Sequence, residues 1–309
     1  MLRSAILATA RSVRARSLIE TMPVTRSVVE RFVAGAETTD AVRVTRSLLE
    51  DGRRVSLDHL GEDTTDRAQA EATVHAYGAL VVALADAGLS TGADLSVKLS
   101  AVGQTLPADG EKIALDNARA ICAAAAKAGA TVTLDMEDHT TTDSTLGILR
   151  ELRAEFPWVG AVLQAYLRRT EQDCRDLSGE GSRVRLCKGA YAEPPSVAYQ
   201  DKADVDRSYA RCLGILMRGR GYPMVASHDP RMIDLAGRLA TETGRGRADF
   251  EYQMLYGIRP GEQHRIASDG DTIRVYVPYG EEWYGYFMRR LAERPANLTF
   301  FLRSLATRG

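Results

Sequence analysis

The chain has 309 residues, 45% of them hydrophobic and 26% charged, and a net charge of −1 that offers no basic face for nucleic acid. A core of this size sustains itself without disulfide or metal staples, and the length suits either two domains or one α/β barrel. The four cysteines, Cys122, Cys174, Cys187 and Cys212, show no CxxC spacing and read as reduced thiols of a cytoplasmic protein.

Residues 1–45 read as an N-terminal helical segment packed on the domain formed by the rest of the chain. Met1–Ser17 carries Arg3, Arg11, Arg14 and Arg16 and no acid, which fits a transit peptide or the first helix of the fold. The helical pattern continues through Glu20–Phe32 without a cleavage-like break, which favours the helix. A basic amphipathic start also suits peripheral contact with the inner face of the cell membrane. No apolar run reaches the roughly 20 residues that span a bilayer; the best, Gly78–Leu89, is short and contains Asp86.

From residue 46 onward, short β-branched runs alternate with longer amphipathic stretches. The predicted strands are Arg54–Asp58, Leu95–Leu99, Thr131–Met136, Gly160–Ala165, Arg183–Lys188, Pro223–Ser227, Phe250–Leu255 and Thr272–Pro278. Helical stretches lie between them, including Asp66–Ala87, Glu111–Ala128, Thr142–Glu155, Lys202–Arg218, Asp229–Thr241 and Glu282–Glu293. Such alternation argues for parallel βαβ units, and about eight of them predict a closed barrel over residues 46–309. Only a short helix fits between Leu255 and Thr272. An open dinucleotide-binding sheet would carry GxGxxG after its first strand. None occurs, and Gly244-Arg-Gly246 follows a helix and reads as a loop.

A β/α barrel places its active site at the C-terminal ends of its strands. Those ends carry Lys98 and Ser100; Asp135, Glu137, Asp138 and His139; Gln164; Arg185, Lys188, Gly189, Ala190 and Tyr191; Ser227, His228 and Asp229; Gln253 and Leu255; and Tyr276. A lysine within an apolar strand is costly unless paired, so Lys98 is expected to pair with Asp135 on the neighbouring strand. Asp135, Glu137, His139 and His228 are residue types that ligate metals, but no HxH or HxxxH pairing accompanies them and no metal is expected. Lys98 or Lys188 as a Schiff-base nucleophile gives an aldolase-like lyase, a reading opposed by a cation held beside a carboxylate.

In the last helix Tyr286, Arg289 and Arg290 fall at i, i+3 and i+4, so all three project from one face. Adjacent guanidiniums repel unless an anion lies between them, and arginine takes a carboxylate in a bidentate fork. Glu293 at the next turn offers the alternative of a solvated ion pair. The helix directly follows the last strand, at the barrel mouth, with Trp283 and Tyr284 alongside, which favours a small carboxylate-bearing substrate.

Together these residues resemble the proline dehydrogenase family. The likeness runs through Leu95-Ser-Val-Lys-Leu-Ser100, Thr133-Leu-Asp-Met-Glu137, Val162-Leu-Gln-Ala-Tyr166, Val184-Arg-Leu-Cys-Lys-Gly-Ala-Tyr191, Ala226-Ser-His-Asp229, Glu251-Tyr-Gln-Met-Leu-Tyr-Gly257, Arg274-Val-Tyr-Val-Pro278 and Tyr286-Phe-Met-Arg-Arg290. The resemblance implies a distorted (βα)8 TIM-type barrel with N-terminal helices and the final helix over the mouth. It implies FAD as cofactor, L-proline as substrate, Δ1-pyrroline-5-carboxylate as product and a membrane quinone as electron acceptor. By the same resemblance Arg289, Arg290 and Lys98 clamp the proline carboxylate, and Asp135 orders Lys98 and Tyr191. Tyr276, Tyr286, Tyr191, Leu255 and Ala190 would wall the pyrrolidine ring, with Tyr276 favouring proline over hydroxyproline. Gln164 and Arg185 resemble flavin-ring contacts, and Cys187, Lys188, Gly189, Ala190, Ser227 and His228 the stretch along ribose and pyrophosphate. Glu293 resembles a residue at the adenosine end, and Glu62 a gate partner of Arg289.

Two departures stand out: Ala192 replaces a tryptophan found in bifunctional relatives, and Arg294-Pro295 replaces a more usual Asn-Gly, which bears on the adenosine contacts. A chain of 309 residues is expected to leave oxidation of the product to a separate pyrroline-5-carboxylate dehydrogenase. The alternatives to this oxidoreductase are the lyase using Lys98 or Lys188 and a non-catalytic amino-acid-binding barrel.

Overall fold

The computed structural model describes residues 29–61 and 64–293, with side chains of the last helix through Met288. The expectations for the basic N-terminus, residues 1–28, lie outside the described residues.

Eight parallel strands close in sequence order into a barrel. They are β1 (Arg54–His59), β2 (Ala93–Val97), β3 (Thr131–Leu134), β4 (Gly160–Gln164), β5 (Arg183–Cys187), β6 (Tyr222–Ala226), β7 (Glu251–Leu255) and β8 (Ile273–Tyr279). The helices are α1 (Thr38–Glu50), which precedes β1, then α2 (Arg67–Asp86), α3 (Gly110–Ala128), α4 (Thr142–Glu155), α5 (Thr170–Asp176), α6 (Lys202–Arg218), α7 (Pro230–Thr243), α8 (Pro260–Ser268) and α9 (Trp283–Glu293). Closure runs through a long β1–β8 ladder from Arg54↔Arg274 to His59↔Tyr279. The predicted barrel is therefore the observed one, with strand ends shifted by one or two residues. The short helix foreseen between Leu255 and Thr272 is α8, whereas α5 was absent from the predicted set: two turns are too short to show a helical period.

Local chemistry sets the helix ends. Asp66 caps α2 by accepting from the Gln69 amide at 2.9 Å, and Asp229 caps α7 with Pro230 in its first turn. Gly129 and Gly244 stop α3 and α7 in the left-handed conformation.

Strand alternation sorts side chains between two environments. Val55, Leu57, Leu95, Val97, Val275 and Val277 point outward and pack with Leu80, Leu84, Ile121 and Leu149 of the helices. A second apolar shell joins Leu163, Val184, Leu186 and Val225 to Leu213, Leu216 and Ile233. The barrel interior is charged instead of filled with branched apolar residues. Asp94 contacts Arg183 at 3.3 Å and accepts from Ser56, Thr131 and Thr133 at 3.0, 2.6 and 3.1 Å. Arg274 grips Glu251 with two bonds of 2.6 and 3.0 Å. These buried charges are thus paired, which such burial requires.

A third apolar cluster covers the mouth. Tyr284, Tyr286, Phe287 and Met288 of α9 pack with Phe32, Val33, Leu60 and Ile258. The 29–34 segment is tied to the C-terminal end of β8 by Ala34 N–H donating to Pro278 O at 2.9 Å. Gly257 is obligatory beneath it: its φ is +73°, and a Cβ there would lie 1.8 Å from the Arg31 carbonyl. The final helix therefore sits over the strand ends, as expected.

Candidate active site

Lys98 emerges just past β2 and is held from β1. Its Nζ lies 2.6 and 2.7 Å from the two carboxylate oxygens of Asp58. The expected contact with Asp135 exists at 4.0 Å but is the weaker of the two. Asp58 is fully buried, and that burial raises its pKa while Lys98 pulls it back down. Sequence reasoning stopped the first strand on Asp58 and gave it no role. The available signal was an acid two residues beyond Ser56, on the inward face and on the strand neighbouring Lys98.

Asp135 instead accepts from Tyr276 Oη at 2.8 Å, Ser96 Oγ at 2.7 Å and Arg185 Nη1 at 2.7 Å. Arg185 spans the barrel, donating also to Gln253 at 2.6 Å and Ser56 at 2.9 Å, with its guanidinium 5.3 Å from the centre of the Tyr276 ring. Burial and the Asp135 charge hold the Tyr276 phenol well above its ordinary pKa, so it stays a donor. Lys98, Asp58, Asp135, Tyr276 and Arg185 form one floor in which two cations balance two carboxylates.

Next to this floor, Gln164 donates from Nε2 to the carbonyls of Met136 and Glu137, each at 2.9 Å. Its Oε1 is buried without a partner among the described residues, an acceptor available to a bound donor. Cys187 contacts the Leu163 carbonyl at 3.5 Å, and burial pushes its thiol up to about 11, so it remains neutral. Lys188 contacts Asp206 and, at 3.0 Å, Asp229. Gly189 has φ +108°, and a Cβ there would lie 2.3 Å from the Tyr166 ring. Ala190 and Tyr191 follow on the surface. The Ser227 hydroxyl accepts from the Asp229 amide at 3.1 Å. His228 Nε2 accepts from the Leu255 amide at 2.9 Å, which places the neutral ring's proton on Nδ1. Its carbonyl is held by Arg259 at 2.8 Å. Leu255 is half-buried against the α9 cluster, and Tyr286 is buried within it. Glu62 and the side chains of Arg289, Arg290 and Glu293 lie outside the described residues.

The model of the family described as proline dehydrogenase matches residues 41–303. The chain belongs to that family. It is 42% identical over 281 residues to a proline dehydrogenase of Deinococcus radiodurans, covering 90% of each chain. It is 38% identical to proline dehydrogenase 1 of Bacillus subtilis strain 168, covering 91% of each. Among solved structures, proline utilization A from Bdellovibrio bacteriovorus inactivated by N-propargylglycine superposes with a TM-score of 0.79 at 26% identity. That match takes in 86% of this chain and 32% of that one, so the chain spans about a third of its length.

For a member of this family, the site holds several groups that strand-end reading did not reach. Asp206 holds Lys188 from α6, opposite Asp229, which the strand-end reading already included. Glu193 engages His139, a histidine whose type could also have ligated a metal. These acids stand on helices and loops, where no strand period points to them.

Proposed function

We propose that the chain oxidises L-proline to Δ1-pyrroline-5-carboxylate, with FAD as the hydride acceptor and a membrane quinone taking the electrons onward. The observation that carries the reading is the convergence of Lys98, Asp135, Arg185, Gln164 and Tyr276, from five strands, beneath the family's final helix. The residues present fit a flavin: Gln164 Oε1 is a buried acceptor without a partner among the described residues, and Gly189 lets the loop after β5 pack directly on the Tyr166 ring beside it. Gln164 and Arg185 would hold the ring system, and Cys187, Lys188, Gly189, Ala190, Ser227 and His228 the ribose and pyrophosphate. Glu293 is assigned to the adenosine end. FAD, when bound, supplies the two-electron acceptor.

The chain's own residues then have mainly to bind and orient. Because Asp58 offsets the charge of Lys98, the excess positive charge for the substrate carboxylate comes from Arg289 and Arg290, while Lys98 supplies a fixed donor. Tyr276, Tyr286, Leu255, Ala190 and Tyr191 wall the ring. The C5 hydride leaves as the ring nitrogen's lone pair forms the C=N bond, so the substrate amine must be unprotonated and little acid–base machinery is needed. Positioning is worth up to about 7–11 kcal/mol in well-oriented reactions. Glu62 closing on Arg289 would exclude water. A separate pyrroline-5-carboxylate dehydrogenase would take the product. Delivery of electrons to a quinone calls for peripheral contact with the membrane; among the described residues no helix is long and apolar enough to cross one.

The lyase reading is opposed by the lysines themselves. Asp58 holds Lys98, and Asp206 with Asp229 holds Lys188, so each amine is tied into ion pairs with carboxylates instead of being presented to an incoming carbonyl. The deciding experiment is the visible spectrum of the purified protein: a bound flavin that bleaches on anaerobic addition of proline and recovers with a quinone analogue. Flavin-free protein that cannot be reconstituted with FAD sinks the proposal. Borohydride trapping of substrate on Lys98 or Lys188 would establish the lyase, and proline binding without flavin reduction the binding barrel.

A further inference from the structure

We propose that Glu193, clasped by His139 and Tyr166, is a positioning residue that sets the loop after β5 on which Ala190 and Tyr191 stand. The inference rests on the proposed function only in assigning that loop to the substrate and flavin. Between the end of β5 at Cys187 and the start of α6 at Lys202 the chain has no helix or strand. Exposed residues flank Glu193 on both sides, Tyr191 being 38% exposed, yet Glu193 itself is only 8% exposed. A carboxylate buried within an exposed loop is tolerated only when it is hydrogen-bonded. Here it accepts three times: from the His139 amide at 2.9 Å, the His139 ring Nδ1 and the Tyr166 hydroxyl at 3.3 Å.

The clasp joins three strand ends. His139 belongs to the loop after β3, where the Met136 and Glu137 carbonyls hold Gln164. Tyr166 stands just beyond β4. Its ring lies under Gly189, its amide donates to the Lys188 carbonyl at 2.9 Å, and its hydroxyl bonds both Glu193 and the Tyr191 amide. Beyond the clasp, Gln200 donates to the Glu193 carbonyl at 3.1 Å and Tyr199 N–H to the Tyr166 carbonyl at 2.8 Å. The turn at residues 190–192 is thus fixed at both ends, and releasing Glu193 frees the end nearest Tyr191. Neither His139 nor Glu193 has a task in the oxidation of proline, which leaves positioning as the use of this buried charge.

The test compares full-length Glu193→Gln and Glu193→Ala with Ile121→Val, a truncation on the buried face of α3. Hydrogen bonds to charged groups are worth enough to shift an equilibrium by roughly tenfold. Chymotryptic cleavage after Tyr191 in flavin-free protein should accelerate by about that factor in Glu193→Ala and by less in Glu193→Gln. The proline KM and the FAD dissociation constant should rise in the same order, while Ile121→Val lowers Tm and moves neither. Cleavage and KM no different from Ile121→Val at matched Tm overturn the proposal. If the parent protein takes up no flavin, the functional reading has failed, and the cleavage ratio alone decides for or against the clasp.

Discussion

Lys98 and Asp58 form a two-pronged ion pair, with Nζ at 2.6 and 2.7 Å from the two carboxylate oxygens, while Asp135 stands 4.0 Å away. The geometry ranks the two acids: Asp58 fixes the lysine, and Asp135 belongs to Tyr276 and Arg185. Asp58→Asn should therefore leave Lys98 drawn toward Asp135 and away from the substrate carboxylate. Breaking a buried pair costs about 3–5 kcal/mol; the remaining contact with Asp135 puts the expected loss at the lower end. A proline KM raised tenfold or more, with the flavin-to-protein ratio retained, is the expected result. An unchanged KM would show that Asp58 does not place Lys98.

Gly189→Ala tests the close approach under the loop. At φ +108° a side chain is strained, at about 1–3 kcal/mol, and the new methyl would lie 2.3 Å from the Tyr166 ring. Tyr166 cannot swing aside freely because its hydroxyl holds Glu193. The variant should fold but bind FAD at least about tenfold more weakly, read by fluorescence titration of the flavin-free protein. Wild-type affinity would mean that the loop tolerates displacement.

The barrel was legible because strands of four to seven residues, separated by amphipathic helices, leave a strong alternating record. The strand-end rule then located Lys98, Asp135, Gln164, Arg185 and Tyr276 without coordinates. What it could not supply was pairing. Lys98 has acids on both neighbouring strands, and only closure of the barrel with its register decides that Asp58 is nearer. Glu193 and Asp206 were invisible for a different reason. Their partners lie across loops and helix starts, where a charged residue in sequence looks like any solvated one. Arg185 was legible as a site residue but not as the residue that spans the barrel interior, since its five-donor reach depends on what lies across the barrel.

Gln164 makes the clearest case for ligand-linked stability. Its Nε2 is spent on two carbonyls, so only Oε1 remains to accept from a bound group. FAD at a hundredfold excess over its dissociation constant should stabilise the fold by about 2.7 kcal/mol, seen as a concentration-dependent rise in Tm. Gln164→Leu should weaken FAD binding by roughly three- to tenfold, the worth of one hydrogen bond, and lower the flavin-free Tm because two buried carbonyls lose their donor. A Tm independent of FAD in the parent protein would contradict the fit.

Acid should unfold the barrel from its interior. Asp94 is buried among Arg183, Arg274 and Arg185, whose combined charge overcomes the burial cost and holds its pKa at about 2, below the ordinary 3.8. Glu251, gripped by Arg274, is likewise depressed. A carboxylate with a lowered folded-state pKa contributes stability that is present above 3.8 and lost as pH falls through about 2. For Asp94 that interval corresponds to roughly 2.5 kcal/mol, taking about 1.4 kcal/mol for each pH unit. Asp58 works in the opposite sense: its raised pKa means that protonation favours the folded state, so it does not add to the acid loss. Urea midpoints should therefore fall steeply between pH 4 and pH 2, and Asp94→Asn should flatten that slope while lowering stability at neutral pH. The neutral-pH loss should exceed the acid-labile part, because the substitution also leaves the Arg183 charge facing a buried amide, whereas Arg185 keeps Asp135 at 2.7 Å. A slope unchanged by Asp94→Asn would assign acid sensitivity to the outer salt bridges instead of the barrel interior.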